Sequence, residues 1–130
     1  MRVKLGIVVV GLGLVCSGAH VVAHHAFSSE YDEENVVTLT GTVTKIEWMN
    51  PHARFFVDVV DENKVVTNWS FELASPNSLT RSGWGRRTLT VGDTVTASGF
   101  AAKSGKSMAS TRSVTLADGR ALFSRTQNIR

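Results

Sequence analysis

The most constraining feature of the sequence is a two-residue alternation that begins near Val37. Apolar or small residues alternate with threonines as far as Thr44, and the apolar phase then slips by one position and continues at Ile46 and Trp48. Alternation with period two is typical of a half-buried β-strand, because successive side chains point to opposite faces of a sheet. A slip of one residue is the pattern of a β-bulge, which bends a long strand. The sequence therefore predicts a β protein with a long, coiled first strand that starts at Val36.

Turn residues divide the rest of the chain into short elements. Between the third and fourth strands, Ser75 suits a helix N-cap, Pro76 the first helical position and Gly83 a left-handed stop, with Leu79 facing inward. After the first strand, a second strand is predicted at about residues 53–60 and a third at about 65–73. A fourth strand ends at residue 99 or 100, and two more follow at about 109–116 and 120–123.

Five strands with a helix between the third and the fourth match the OB-fold, a partly open Greek-key barrel. We therefore predict an all-β fold, a small five- to six-stranded OB-like Greek-key barrel with one short helix between strands 3 and 4. An open β-sandwich is the alternative, and it would need about seven strands.

The N-terminus has the three parts of a secretory signal peptide. A basic start is followed by the apolar run Leu5–Val15, which is too short for a bilayer anchor, and then by small residues. Cleavage fits after Ala19 or after Ala23, and the second position is preferred. We predict a signal peptide at 1–23, an N-terminal arm at 24–35, the barrel domain at 36–123 and a loose tail at 124–130. The expected product is periplasmic, with no membrane span in the mature form.

Cleavage after Ala23 changes the charge and the cysteine count. Lys plus Arg falls from 14 to 12 with the loss of Arg2 and Lys4, while Asp plus Glu stays at 11, so the net charge drops from +3 to +1. Such a balance argues against nucleic acid as a partner. The lone Cys16 is also removed, which excludes disulfide and thiol chemistry. Lipid attachment at Cys16 is disfavoured, because Gly13-Leu14-Val15 lacks the usual leucine and small residue before it.

The histidines are concentrated at two places. His20 falls in the presequence, His24 and His25 stand at the new N-terminus, and His52 lies in the first inter-strand loop. A first-residue histidine offers an amine and an imidazole in one chelate, and one more imidazole completes a T-shaped nitrogen set that suits Cu(II). We predict that copper binds His24 together with His52 or His25. An alternative set of ligands is the terminal amine, one backbone amide and the imidazole of His25.

Other interpretations of these histidines stay open. Zinc fits less well, because three donors with no cysteine are a poor match to its usual sites. His24 and His25 would otherwise pack on the barrel or bind copper incidentally, and His52 would hydrogen-bond loop backbone.

A second hypothesis concerns the same loop. OB-folds often bind ligands with the loop between their first two strands, so Trp48, Asn50, His52 and Arg54 could form a ligand face. Equally, Trp48 could seal the barrel end and Arg54 could be a solvated strand residue. Glu47 or Glu72 could pair with Arg54 or with a loop histidine. Among the aromatic residues, Phe55, Trp69 and Phe71 are expected in the core, and Trp48, Phe56 and Trp84 at the surface.

Signatures of classical catalysis are missing from the sequence. It has no paired carboxylates, nucleophile elbow, P-loop or dinucleotide fingerprint, so classical hydrolase or transferase catalysis has no support and a binding role is favoured. The leading hypothesis is a periplasmic protein for metal handling or delivery. The alternative is a periplasmic ligand- or protein-binding module without metal, accessory to an envelope enzyme.

The sequence resembles a family of small exported bacterial proteins of unknown function. The resemblance rests mainly on an HHxF motif at His24–Phe27, an NPH motif at Asn50–His52 and the stretches 68–72, 79–84 and 116–120. It covers nearly all of the mature chain and implies a periplasmic, β-barrel-like domain. The resemblance supplies no activity and no catalytic residue.

Overall fold

The computed structural model describes residues 26–124. Residues 26–30 are helical and fall in a different unit from the sheet. The second unit begins at Tyr31 and contains the sheet. Its elements are, in chain order, β1 (Tyr31–Glu47), β2 (Arg54–Val60), β3 (Val66–Glu72), α1 (Pro76–Arg81), β4 (Thr94–Ala102), β5 (Met108–Leu116) and β6 (Ala121–Phe123).

The six strands form one sheet in the order β3-β2-β1-β4-β5-β6, and all neighbours in this order are antiparallel. In addition, β3 pairs with β5 in parallel over Ser70–Glu72 and Met108–Ser110. The pairings of the first five strands therefore close a ring. The prediction of an all-β chain is confirmed. Within residues 26–124, no helix is long and apolar enough to cross a membrane.

The long first strand has an irregular register where the sequence predicts a β-bulge. β1 pairs with β4 from Tyr31 to Thr42 and with β2 from Thr42 to Glu47. Its register against β2 shifts between Val43 and Lys45, at the position where the apolar phase slips. The strand starts at Tyr31 rather than at Val36, because Tyr31 pairs with Ala102 and its side chain is buried.

The core lies between the inward faces of these strands. The rings of Phe55 and Phe71 stack with their centroids 5.2 Å apart, and both side chains are fully buried. Phe55, Phe71 and Trp69 were all expected in the core. Trp69 differs from this expectation, because it is only partly buried and packs against the core. Buried apolar side chains from all five ring strands, α1 and the segment after it complete the cluster, including Val43, Val57, Leu79, Trp84, Leu89, Val95 and Val114.

Helix α1 has the boundaries that its residues indicate. The Ser75 side chain accepts a hydrogen bond from the Ser78 amide, Pro76 begins the helix and Leu79 is fully buried. Gly83 has a positive φ of 89°, which glycine adopts without a steric penalty. The chain then reverses so that the amide of Trp84 donates to the Leu79 carbonyl oxygen.

Two expectations about the C-terminal half are corrected by this packing. Trp84 was expected at the surface, yet it is 3% exposed and its indole Nε1–H donates to the Phe123 carbonyl oxygen at 3.2 Å. Ser124 was assigned to the loose tail, yet it is buried and its hydroxyl accepts from the Ala74 amide at 3.1 Å. The rest of that tail, residues 125–130, lies outside the described residues.

One buried hydroxyl gives a stability prediction. Thr111 on β5 is 1% exposed, and its Oγ1 has no hydrogen-bond partner in the described part of the chain. Burying an unpaired hydroxyl costs free energy, so we expect Thr111→Val, which keeps the side-chain shape, to raise the free energy of unfolding by about 1 kcal/mol. Urea denaturation measures this change. Thr40→Val is the control, since the exposed Thr40 hydroxyl is bonded to that of Thr96 and its removal brings no gain. A less stable Thr111→Val protein would contradict the prediction.

Candidate functional site

The segment between β1 and β2 forms a shallow depression on the surface. The segment contains a cis peptide bond between Asn50 and Pro51, and β2 begins directly after it at Arg54. The depression has a volume of about 190 Å³. It is lined by Glu47, Met49, Asn50, Pro51, His52 and Arg54. Three of the four residues predicted to form a ligand face therefore lie together.

Glu72 lies beside this depression and joins two of its residues. The Glu72 side chain is only 8% exposed. Its Oε2 accepts a hydrogen bond from Nη2 of Arg54 at 2.9 Å, and its Oε1 lies 3.1 Å from Nδ1 of His52. A buried carboxylate needs such partners, because an unpaired charge away from water is costly. His52, Glu72 and Arg54 thus form one polar cluster, which we call the Glu72 cluster.

The imidazole of His52 is the most exposed member of the cluster. Its side chain is 49% exposed, so the ring remains accessible from solvent. Nδ1 faces the carboxylate, whereas Nε2 has no hydrogen-bond partner among residues 26–124. An imidazole in this setting can use the lone pair of Nε2 to bind a metal ion or to accept a proton.

The register of the β2–β3 hairpin brings Glu72 to Arg54. Oδ1 of Asp61 accepts hydrogen bonds from the amides of Asn63 and Val65, which fixes a tight turn. From that turn the strands pair residue by residue until Arg54 stands opposite Glu72. The sequence contains this signal, because counting back from a turn centred on Asn63 pairs the same two residues. Residue patterns alone did not distinguish Glu47 from Glu72, and in the structure it is Glu72 that contacts both His52 and Arg54.

Trp48 occupies a different place from the other predicted ligand residues. It packs against the core and lines a narrow crevice together with Trp84, Arg86 and other residues. Its side chain is partly buried. The Phe56 side chain is also partly buried, and the ammonium group of Lys45 lies over its ring, 5.2 Å from the ring centroid. Trp48 therefore does not line the depression beside His52.

The metal ligands predicted at the N-terminus are not part of the described structure. His24 and His25 lie outside the described residues. Within residues 26–124, no group of three or more histidine, cysteine, aspartate or glutamate side chains is arranged to hold a metal ion. His52 is the only predicted metal ligand in that part of the chain.

A larger depression, of about 270 Å³, lies where β4 begins and β5 ends. Its charged groups are already paired: Arg120 contacts Asp118 at 2.8 Å, and both carboxylate oxygens of Asp93 accept from Thr90. Hydrogen bonds from the Arg120 backbone amide and then from its guanidinium lower the pKa of Asp118. These contacts hold the charged side chains in two local turns, and no histidine among residues 26–124 lines this depression, so the Glu72 cluster with its exposed imidazole is the better candidate.

Comparison with known families assigns the chain to one of them. The model of a family of unknown function, DUF6152, matches residues 10–111. The chain belongs to this family. The matched region includes every residue of the Glu72 cluster and of the depression beside it. A search of characterised proteins and a search of solved structures gave no match.

Proposed function

We propose that this member of the family is an exported, periplasmic metal-handling protein that binds copper through histidine nitrogens. The proposed ligands are His52 and the histidines at the mature N-terminus, His24 and His25. A first-residue histidine supplies an amine and an imidazole, and further imidazole nitrogens suit the tetragonal coordination that Cu(II) prefers. The proposed role is binding and delivery of the ion rather than catalysis.

The observation that carries this proposal is the contact between His52 and Glu72. Histidines that bind metal ions almost always direct their other ring nitrogen to a carboxylate, a carbonyl oxygen or a water molecule. For His52, the 3.1 Å distance from Nδ1 to the buried carboxylate and the half-exposed side chain support such a role.

We further propose that the ring of strand pairings is an OB-like Greek-key barrel. Two observations support this assignment: the pairing sequence β1-β2-β3-β5-β4 returns to β1, and α1 lies between β3 and β4. In OB-folds the loop between the first two strands is a common ligand site. The NPH segment with His52 is that loop.

Titration with Cu(II) tests the proposed function. The protein that begins at His24 is compared, by isothermal titration calorimetry, with the same protein carrying one additional N-terminal methionine. We expect a tight binding phase in the first and its loss in the second, because the methionine moves the free amine away from His24. His52→Ala is expected to weaken the tight phase at least about tenfold, the scale on which changes around a metal ligand act.

The controls separate a metal site from general effects of the loop. Intact mass verifies the first residue of each preparation. Asn50→Ala alters the same depression without removing an imidazole, so it leaves copper affinity unchanged. If the proteins with and without the extra methionine bind copper equally weakly, the metal proposal fails. If the extra methionine removes the tight phase but His52→Ala leaves it unchanged, copper is held by the N-terminal residues alone.

A second candidate function is favoured by the depression itself. Asn50, His52 and Arg54 line the same 190 Å³ space, and together they offer an amide, an imidazole and a guanidinium. These groups suit a small polar ligand or a polar segment of an envelope protein. Weak copper binding by all the proteins compared in the titration would favour this second function.

A further inference from the structure

The two oxygens of the Glu72 carboxylate lie close to nitrogen atoms of two different kinds. Oε2 accepts from Arg54 at 2.9 Å, and Oε1 lies 3.1 Å from Nδ1 of His52. A guanidinium has only N–H donors, whereas a neutral imidazole has one donor nitrogen and one acceptor nitrogen. A lone pair on Nδ1 would be repelled by the carboxylate at this distance, and a proton on Nδ1 would be attracted.

We propose that Glu72 is a positioning residue that keeps the proton of the neutral His52 ring on Nδ1 and the lone pair on Nε2. The free histidine side chain in water favours the opposite tautomer, with its proton on Nε2. Glu72 therefore reverses the intrinsic preference of the ring and prepares Nε2 as a ligand. The importance for copper rests on the proposed function, but the tautomer itself does not.

Arg54 makes the effect of a near-isosteric substitution predictable. In Glu72→Gln, the side-chain amide has one oxygen and one NH₂ group in place of two oxygens. Arg54 can only donate, so the amide oxygen turns toward Arg54 and the NH₂ group faces Nδ1 of His52. Nδ1 must then accept, and the ring proton moves to Nε2.

Nitrogen-15 NMR of the imidazole rings tests this inference in the metal-free chain that begins at His24. The two ring nitrogens of each tautomer have distinct shifts, and His52→Ala assigns the signals of His52. At alkaline pH, where imidazole is neutral, we expect Nδ1–H in the wild type and Nε2–H in Glu72→Gln.

These experiments distinguish failure of the tautomer inference from failure of the copper proposal. An Nε2–H ring in the wild type overturns the inference without any variant, and so does an unchanged tautomer in a folded Glu72→Gln protein. With Cu(II) as the probe, we expect Glu72→Gln to weaken the tight phase about 10–100-fold. If the tautomer switches but the wild type has no tight copper phase, Glu72 remains a positioning residue and the copper proposal fails.

Discussion

Replacement of Phe71 by alanine is expected to lower the free energy of unfolding by about 3–5 kcal/mol, the usual cost of removing a buried aromatic ring. Phe71 on β3 is fully buried, its ring stacks on Phe55 at 5.2 Å, and the Trp69 ring lies 6.3 Å away. The loss combines the transfer of a large apolar group and the cavity that the rigid sheet leaves behind. Since small domains are stable by only about 5–15 kcal/mol, this variant is close to unfolding.

Urea denaturation followed by tryptophan fluorescence measures this loss. Phe123→Ala is the matched control, because Phe123 is 51% exposed on β6 and only its backbone carbonyl accepts from Trp84. Removing a half-exposed ring costs less than about 1 kcal/mol. Equal losses in the two variants would show that the Phe55–Phe71 stack is not at the centre of the core.

Gly41→Ala is expected to destabilise the protein by about 3 kcal/mol, at the upper end of what overpacking costs. A Cβ atom added at Gly41 would overlap the carbonyl oxygen of Asp58 and lie 2.6 Å from Cγ1 of Val57. The carbonyl belongs to the backbone of β2, so it cannot move aside as a flexible side chain could. The only relief is separation of β1 from β2 at Thr42 and Asp58, where their pairing begins.

Gly85→Ala is the control for this prediction. A Cβ atom at Gly85 would have Thr88 Oγ1 at 4.0 Å as its nearest neighbour. The substitution therefore leaves stability unchanged or raises it slightly by restricting the unfolded chain. Thermal unfolding of the two variants side by side measures the difference. Comparable stability of Gly41→Ala and Gly85→Ala would contradict the close approach of β1 to β2.

Local residue preferences were sufficient to predict most elements of the sheet. The alternation from Val37 and the phase slip before Ile46 predicted both β1 and its bulge, because both are properties of a single strand. The helix at Pro76–Arg81 was predicted for a similar reason, since Ser75, Pro76 and Gly83 act within one or two turns. The ends of strands were less predictable, as the start of β1 at Tyr31 depends on its partner Ala102.

The candidate site was predicted in part. The NPH loop placed Asn50, His52 and Arg54 together, and the structure shows them around one depression. Trp48 was grouped with them because it is close in sequence, yet its indole packs on the core instead. Glu72 was not chosen as a site residue, although its position opposite Arg54 follows from the hairpin register.

The sequence by itself determined the strands, the bulge and the capped helix, because these depend on side-chain alternation and on backbone preferences within a few residues. Only the tertiary structure decided that β3 pairs with β5 and that Trp84 is buried, with its indole bonded to the Phe123 carbonyl oxygen. Each of these contacts joins segments far apart in the chain. Their geometry depends on how the whole sheet bends, and no local pattern of residues records that.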